Sequence, residues 1–171
     1  MIELSVVVAA EDAGFPLRKC LAALVGQSGL GQAEILVVTG SRRREAGPLV
    51  AEFPPARLLR LEGPLNVPAL WTAGILAAQG RIVALTMENC VPAPDWAEKM
   101  REAHNQSYAA VGGAMEMNPS GSLMDWAVYF CRYSAYMPPF QPRLLDDLPA
   151  DNCSYKSAVL GAVRDLMKDG F

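Results

Sequence analysis

Four short apolar runs, each followed by a stretch of helical spacing or a turn, limit this chain more than any other feature. The runs are Leu4 to Ala10, Glu34 to Val38, Arg57 to Leu61 and Ile82 to Leu85. Leu4 to Ala10 and Ile82 to Leu85 read as strands buried on both faces, Glu34 to Val38 as a second apolar run, and Arg57 to Leu61 as a further strand candidate. Between the first two, Leu17, Cys20, Leu21, Leu24 and Val25 recur at helical spacing, and Gly26 and Gly29 end the helix. A weaker helix passes through Leu49 and Phe53, interrupted by Gly47-Pro48 and closed by Pro54-Pro55. Asn66 is placed as an N-cap, Pro68 falls in the first turn, and Leu70, Ala73, Ala77 and Ala78 form an apolar stripe that stops at Gly80. Connections of this length suit right-handed crossovers, so the alternation predicts an α/β fold, a mostly parallel sheet flanked by helices.

The second half is less regular. Asp95 to Ala103 reads as a helix with Trp96, Met100 and Ala103 on one side and Asp95 set to pair with Lys99. His104, at its end, is expected to face water. Ala109 to Met117 contains Val-Gly-Gly-Ala and reads as a strand whose glycines permit close backbone approach. Leu123 to Tyr136 carries a wide apolar and aromatic face, expected to be core, with a membrane-surface helix as the alternative. Pro138-Pro139 and Pro142 force an irregular connection that serves either as a plain link or as a lid. Asp151 to Lys156 precedes a last helix through Leu160, Val163 and Leu166, its polar residues facing either solvent or a ligand. The chain stops at Asp169-Gly170-Phe171, just past that helix, and reads as a fragment lacking its C-terminal end. An edge left uncovered there would favour a homo-oligomer.

Composition excludes several classes. With 171 residues, 51% hydrophobic and 19% charged, the chain is one globular domain and not a disordered segment. A net charge of −3 gives no general attraction to nucleic acid. Arg42-Arg43-Arg44 is the one compact basic cluster, read as a solvated loop or a phosphate contact. The four cysteines form no C-x-x-C pair and His104 is the single histidine, which argues against structural zinc. Cys20 and Cys131 lie in apolar sequence surroundings and read as reduced core thiols, consistent with a cytoplasmic protein. No leader pattern is present, and no apolar segment approaches the roughly 20 residues that span a bilayer. Membrane association would have to come from segments outside these residues.

The stretch from Arg81 to Trp96 is the candidate site. Its strand stops at Thr86-Met87-Glu88-Asn89 before a proline-rich turn, which places polar groups at the carboxyl end of a buried strand. Ligands bind at that edge in open α/β sheets. Glu88 and Asn89 offer oxygen donors suited to Mg²⁺ or Mn²⁺ and, through it, to a diphosphate. A solvated turn is the other reading of the same pair.

The order of motifs resembles the family 2 glycosyltransferases, which adopt the Rossmann-like GT-A fold, over essentially the whole chain. The resemblance rests on Ser5 to Ala10 followed by the Leu-Arg-Lys-Cys-Leu helix, on Glu34 to Ser41, on Pro68 to Gly80, and on Thr86 to Trp96. Val111 to Ala114, Asp125 to Phe130 and Leu148 to Lys156 extend it. It implies transfer of a sugar from a nucleotide-diphosphate donor to an acceptor hydroxyl, usually with inversion, aided by a divalent metal. On that pattern Ala9, Ala10, Glu11 and Thr39 border the nucleoside, Glu88 and Asn89 stand at the metal and diphosphate, and Asn152, Tyr155 and Lys156 approach the sugar or acceptor. Two positions depart from it. Thr39 replaces the aspartate that commonly holds uracil, and Met87-Glu88-Asn89 stands where an Asp-x-Asp signature is expected, leaving one carboxylate instead of two. The family's catalytic base is expected beyond Phe171, with Asp151 the substitute within the chain. A binding module that has lost catalysis is the alternative.

Overall fold

Every residue of the first strand, β1 (Leu4–Ala10), is buried, and the strand lies inside a six-stranded sheet in the computed structural model, which describes residues 1–11, 14–40, 46–63 and 65–167. The Arg42-Arg43-Arg44 cluster, Asp12, Ala13, Ser41 and the Asp169-Gly170-Phe171 end lie outside the described residues. β1 pairs in parallel with β2 (Ala33–Gly40) on one side and β4 (Ile82–Met87) on the other, and β3 (Ala56–Leu61) adds to β2. These are the four apolar runs, and they form the parallel part of the sheet.

Helices cover both faces. On one, α1 (Phe15–Val25), α2 (Ala46–Ala51) and α4 (Trp96–Ala103) pack Leu17, Leu21, Leu49, Trp96 and Met100 against Leu4, Val6 and Val8. On the other, α3 (Val67–Ala77) sets Leu70 and Ile75 against Val7, Leu36 and Val38, joined by Leu160 of α6 (Ser157–Ala162) and Met167 of α7 (Arg164–Met167). Alternate residues of each strand feed opposite cores, which is why these strands are apolar at consecutive positions. The Asn66 side chain caps α3 by accepting from the Ala69 N–H at 3.0 Å. Gly74 lets that helix lie close, since a Cβ there would stand 2.1 Å from Val7 Cγ1. Asp95 pairs with Lys99 at 2.7 Å, as their spacing predicts.

Four expectations change. Asn152–Lys156 is a strand, β6, inserted antiparallel between β4 and the short β5 (Ala110–Gly112), giving the order β3-β2-β1-β4-β6-β5. The strand expected over Ala109 to Met117 ends at Gly112, because the following backbone turns to bond elsewhere: the Met115 N–H donates to Tyr136 O at 2.9 Å. His104 is buried, its Nε2 2.9 Å from Ser154 Oγ, because α4 ends against β6 and not against water. The aromatic helix α5 (Leu123–Tyr133) buries only Tyr129 among its residues; Leu123, Met124, Val128 and Phe130 are exposed, and so is Cys131. Its start is fixed instead by a Ser122–Asp125 capping box. All four cysteines are free thiols, and among the described residues no helix is long and apolar enough to cross a membrane.

At the amino-terminal edge of the sheet Glu34 is buried and gathers three partners. It accepts from Ser5 Oγ at 2.6 Å, the Gln79 N–H at 2.8 Å and Arg57 Nη2 at 2.5 Å. Burial opposes the charge, but the hydrogen bonds from Ser5, Gln79 and Arg57 outweigh it and hold the carboxyl below its ordinary value of 4.5. A depressed carboxyl stabilises the fold above the unfolded value and loses that contribution as pH falls through the folded one. Replacing Glu34 by Gln is expected to cost roughly 1–3 kcal/mol near neutrality. In urea unfolding series the gap between the two proteins should then close as pH drops below 4.5.

Candidate functional site

The parallel register decides which residues meet at the carboxyl edge. Ala9 stands opposite Met87, and Ala10 opposite Thr39, so the ends of β1, β2 and β4 finish level. The chain then latches across the gap. The Glu88 N–H donates to Ala9 O at 3.1 Å, and Glu88 Oε1 accepts the Glu11 N–H at 3.2 Å. Glu88 is buried by this arrangement, while Glu11 and Asn89 are exposed beside it. Thr39 is also buried, and its Oγ1 meets no hydrogen-bond partner among the described residues. The structure thus brings together Ala9, Ala10, Glu11, Thr39, Glu88 and Asn89.

It divides the remaining candidates. β6 runs antiparallel to β4, pairing Asn152 with Thr86 and Lys156 with Ile82. Asn152 therefore lies at the carboxyl edge and Lys156 at the far end, roughly 13 Å along the strand at ~3.3 Å per residue. The Lys156 ammonium donates to Gln106 O at 2.6 Å. Tyr155 lies one position from Lys156, packed against the α3-side core, where burial first and then Cys153 push its hydroxyl pKa up. Neither shares an edge with Glu88. The Asn152 amide, in turn, is committed on both sides: Oδ1 accepts from Trp96 Nε1 at 2.8 Å and Nδ2 donates to Ala114 O at 2.8 Å. This contact is what the glycines serve, since a Cβ on Gly113 would stand 2.4 Å from Asn152 Nδ2.

Asp151 lies one residue beyond the Thr86–Asn152 pair and is buried. Its Oδ2 accepts from the Tyr133 hydroxyl and lies 3.5 Å from Arg132 Nη2, both on α5. A buried carboxylate held this way fastens a helix through Oδ2, while its Oδ1 has no hydrogen-bond partner among the described residues. Its charge reaches the Glu88 loop, because Cys90 has its thiol pKa raised by burial and then by Asp151. Sequence reasoning missed Tyr133, Arg132 and Trp71, whose indole donates to Thr86 O at 3.0 Å. Trp126, Tyr129 and Tyr133 recur at helical spacing, and the hydroxyl on two of them was the available signal, since a half-buried tyrosine needs a polar partner.

The family model described as Glycosyl transferase family 2 matches residues 5–162. No curated protein matches the chain. Among solved structures, Staphylococcus aureus TarS 1-349 superposes with a TM-score of 0.68 at 14% identity, covering 94% of this chain and 49% of that one. The mannosyltransferase PcManGT from Pyrobaculum calidifontis, in complex with GDP-Man and Mn²⁺, gives 0.68 at 16% identity, covering 94% and 46%. A 4-diphosphocytidyl-2C-methyl-D-erythritol synthase from Anaerococcus prevotii gives 0.62 at 11% identity, covering 98% and 76%. The chain thus spans about half the length of the TarS and PcManGT chains it matches. These likenesses give the sheet its class, the GT-A glycosyltransferase fold.

Replacing Tyr133 by Phe removes the hydroxyl from Asp151 and leaves that buried carboxylate with Arg132 alone. The expected loss is about 1–3 kcal/mol of stability, read as a lower thermal midpoint with folding retained.

Proposed function

Because the chain belongs to glycosyl transferase family 2, we propose that it binds a nucleotide-diphosphate sugar at the carboxyl edge of β1, β2 and β4. From there it passes the sugar to an acceptor hydroxyl with inversion at the anomeric carbon. The observation that supports this most is the convergence of Thr39, the Ala9 to Glu11 backbone and Glu88 at one level of the sheet. Thr39 would meet the nucleoside as an uncharged group able to donate and accept. Glu88 and Asn89 would border the diphosphate. In an inverting transfer the acceptor oxygen attacks the anomeric carbon from the face opposite the departing diphosphate. A carboxylate takes the hydroxyl proton, and the diphosphate leaves with the bonding electron pair.

Glu88 already spends one oxygen on the Glu11 N–H, and among the described residues no group of three or more acidic, histidine or cysteine side chains could enclose a metal. This donor set fits a cation shared with a ligand's phosphates better than one caged by protein, the usual arrangement for Mg²⁺. Glu88 and Asn89 would hold it. A divalent cation there supplies charge neutralisation at the leaving diphosphate.

The single carboxylate of the Met87-Glu88-Asn89 turn also favours a second reading, a binding module that holds the nucleotide sugar without turning it over. Calorimetry with uridine and guanosine diphosphate sugars, with and without Mn²⁺, tests the shared part of both. Replacing Glu88 by Ala should weaken metal-dependent binding about tenfold, or ~1.4 kcal/mol. An unchanged affinity removes Glu88 from the site, and no binding by folded protein defeats both readings. Release of nucleoside diphosphate in the presence of acceptor separates the enzyme from the module.

A further inference from the structure

A cavity of about 280 Å³ opens at the opposite end of the sheet from Glu88, between the start of β1, the start of β4, the end of β6 and the last turn of α4. Glu3, Arg81, Arg101, His104 and Lys156 line it. Two of these groups are buried with hydrogen-bonding capacity unused. The Arg101 side chain is only 20% exposed. One terminal nitrogen donates to Gly29 O, Nε lies 3.8 Å from Glu3 Oε2, and Nε and Nη2 have no hydrogen-bond partner among the described residues. His104 is 7% exposed, and its Nδ1 likewise has none. Buried polar atoms in folded proteins are almost always paired, so these two groups beside the cavity hold donor capacity in reserve, shielded here and reaching an occupant only when either side chain turns toward it. A guanidinium presents a planar fork of donors that matches an oxyanion. The charge has the same sense. Three cations against one carboxylate leave two positive charges uncompensated, which suits a dianion.

We propose that this cavity is a second binding site, remote from the nucleotide-sugar edge, for a small phosphate-bearing dianion, with Arg101 as its principal ligand and Arg81 and Lys156 completing the charge. The site uses Lys156 where the register puts it, and it does not depend on the function assigned to Glu88. Its occupant would tie the last turn of α4 to the starts of β1 and β4 through one ion.

The chain carries one histidine, so the His104 ring signal is a single reporter inside the cavity. In the free protein burial and then the Lys156 charge lower its pKa from 6.5, and a bound dianion opposes the second of these. Titrating the full chain with inorganic phosphate or glycerol 3-phosphate, ionic strength held constant with chloride, should shift the His104 resonance saturably and raise its pKa. Tighter binding of one or the other identifies the free ion or a phosphorylated metabolite as the source. Replacing Arg101 by Gln should weaken the binding about tenfold, and replacing Glu88 by Ala should leave it unchanged. Should the Arg101 variant fail to fold, Arg81→Gln and Lys156→Gln are read in its place and each should weaken binding severalfold. No saturable shift with either anion, or full affinity in the cation variants, overturns the proposal.

Discussion

The pairing of β1 on both sides is the constraint from which the rest of this structure follows. A strand whose seven residues are all buried can satisfy its backbone only through β2 and β4, and the register of those two ladders fixes what stands at either end. At one end Ser5 is the only polar side chain in the strand, and it is met by Glu34, whose other bonds reach Gln79 and Arg57. At the other end the Ala9 carbonyl and the Glu11 amide close around Glu88. The candidate site is thus a continuation of the central ladder. Its geometry is set by strands, and the loops leaving them need only turn away.

The parallel half was legible because burial on both faces leaves a plain mark. Consecutive apolar residues in Leu4 to Ala10 or Ile82 to Leu85 have few other uses in a chain of this size. β6 left no such mark. Asn152, Ser154 and Lys156 face α4, where they meet Trp96 Nε1, His104 and the Gln106 carbonyl, while Cys153 and Tyr155 turn to the other core. A strand whose one face is met by hydrogen-bonding groups reads as polar coil. The same pairing misplaced His104, since the sequence gives the last turn of a helix but not what that turn abuts. α5 failed in the opposite sense. Its periodicity correctly gives an apolar face, yet periodicity carries no information about whether another layer covers it, and here Leu123 and Met124 are exposed.

The candidate site was legible as a place and only partly as a set of residues. Glu88 and Asn89 were placed at the strand end by the apolar run before them, and Thr39 was placed beside them by the family resemblance; the register of β1, β2 and β4 sets all three at one edge. Asn152 to Lys156 could not be assigned as a unit, because a strand running against its neighbour carries its two ends to opposite poles. Asn152 remains at the candidate edge, but with both ends of its amide engaged it holds Ala114 and Trp96 in place. Asp151 does the same for α5 through Tyr133 and Arg132. Polar residues at this edge therefore fall into two sets, those whose hydrogen bonds hold α5, Trp96 and Ala114 in place and those on the ends of β1, β2 and β4.

This division bears on how an edge with one buried carboxylate, Glu88, would hold a doubly charged ligand. Two carboxylates at a strand end repel each other and are stabilised by a cation, which makes the metal an integral part of such a site. Glu88 is instead stabilised by a backbone amide from the neighbouring strand. Its buried charge is thus partly compensated without a cation. On the proposed function, binding at this edge would draw more on backbone groups from β1 and β2 than on metal charge, and Thr39, buried and uncharged beside Ala10, is consistent with that. The parallel ladders that fix the fold are accordingly also what would set selectivity, since the groups available to a ligand are those that strand register brings level.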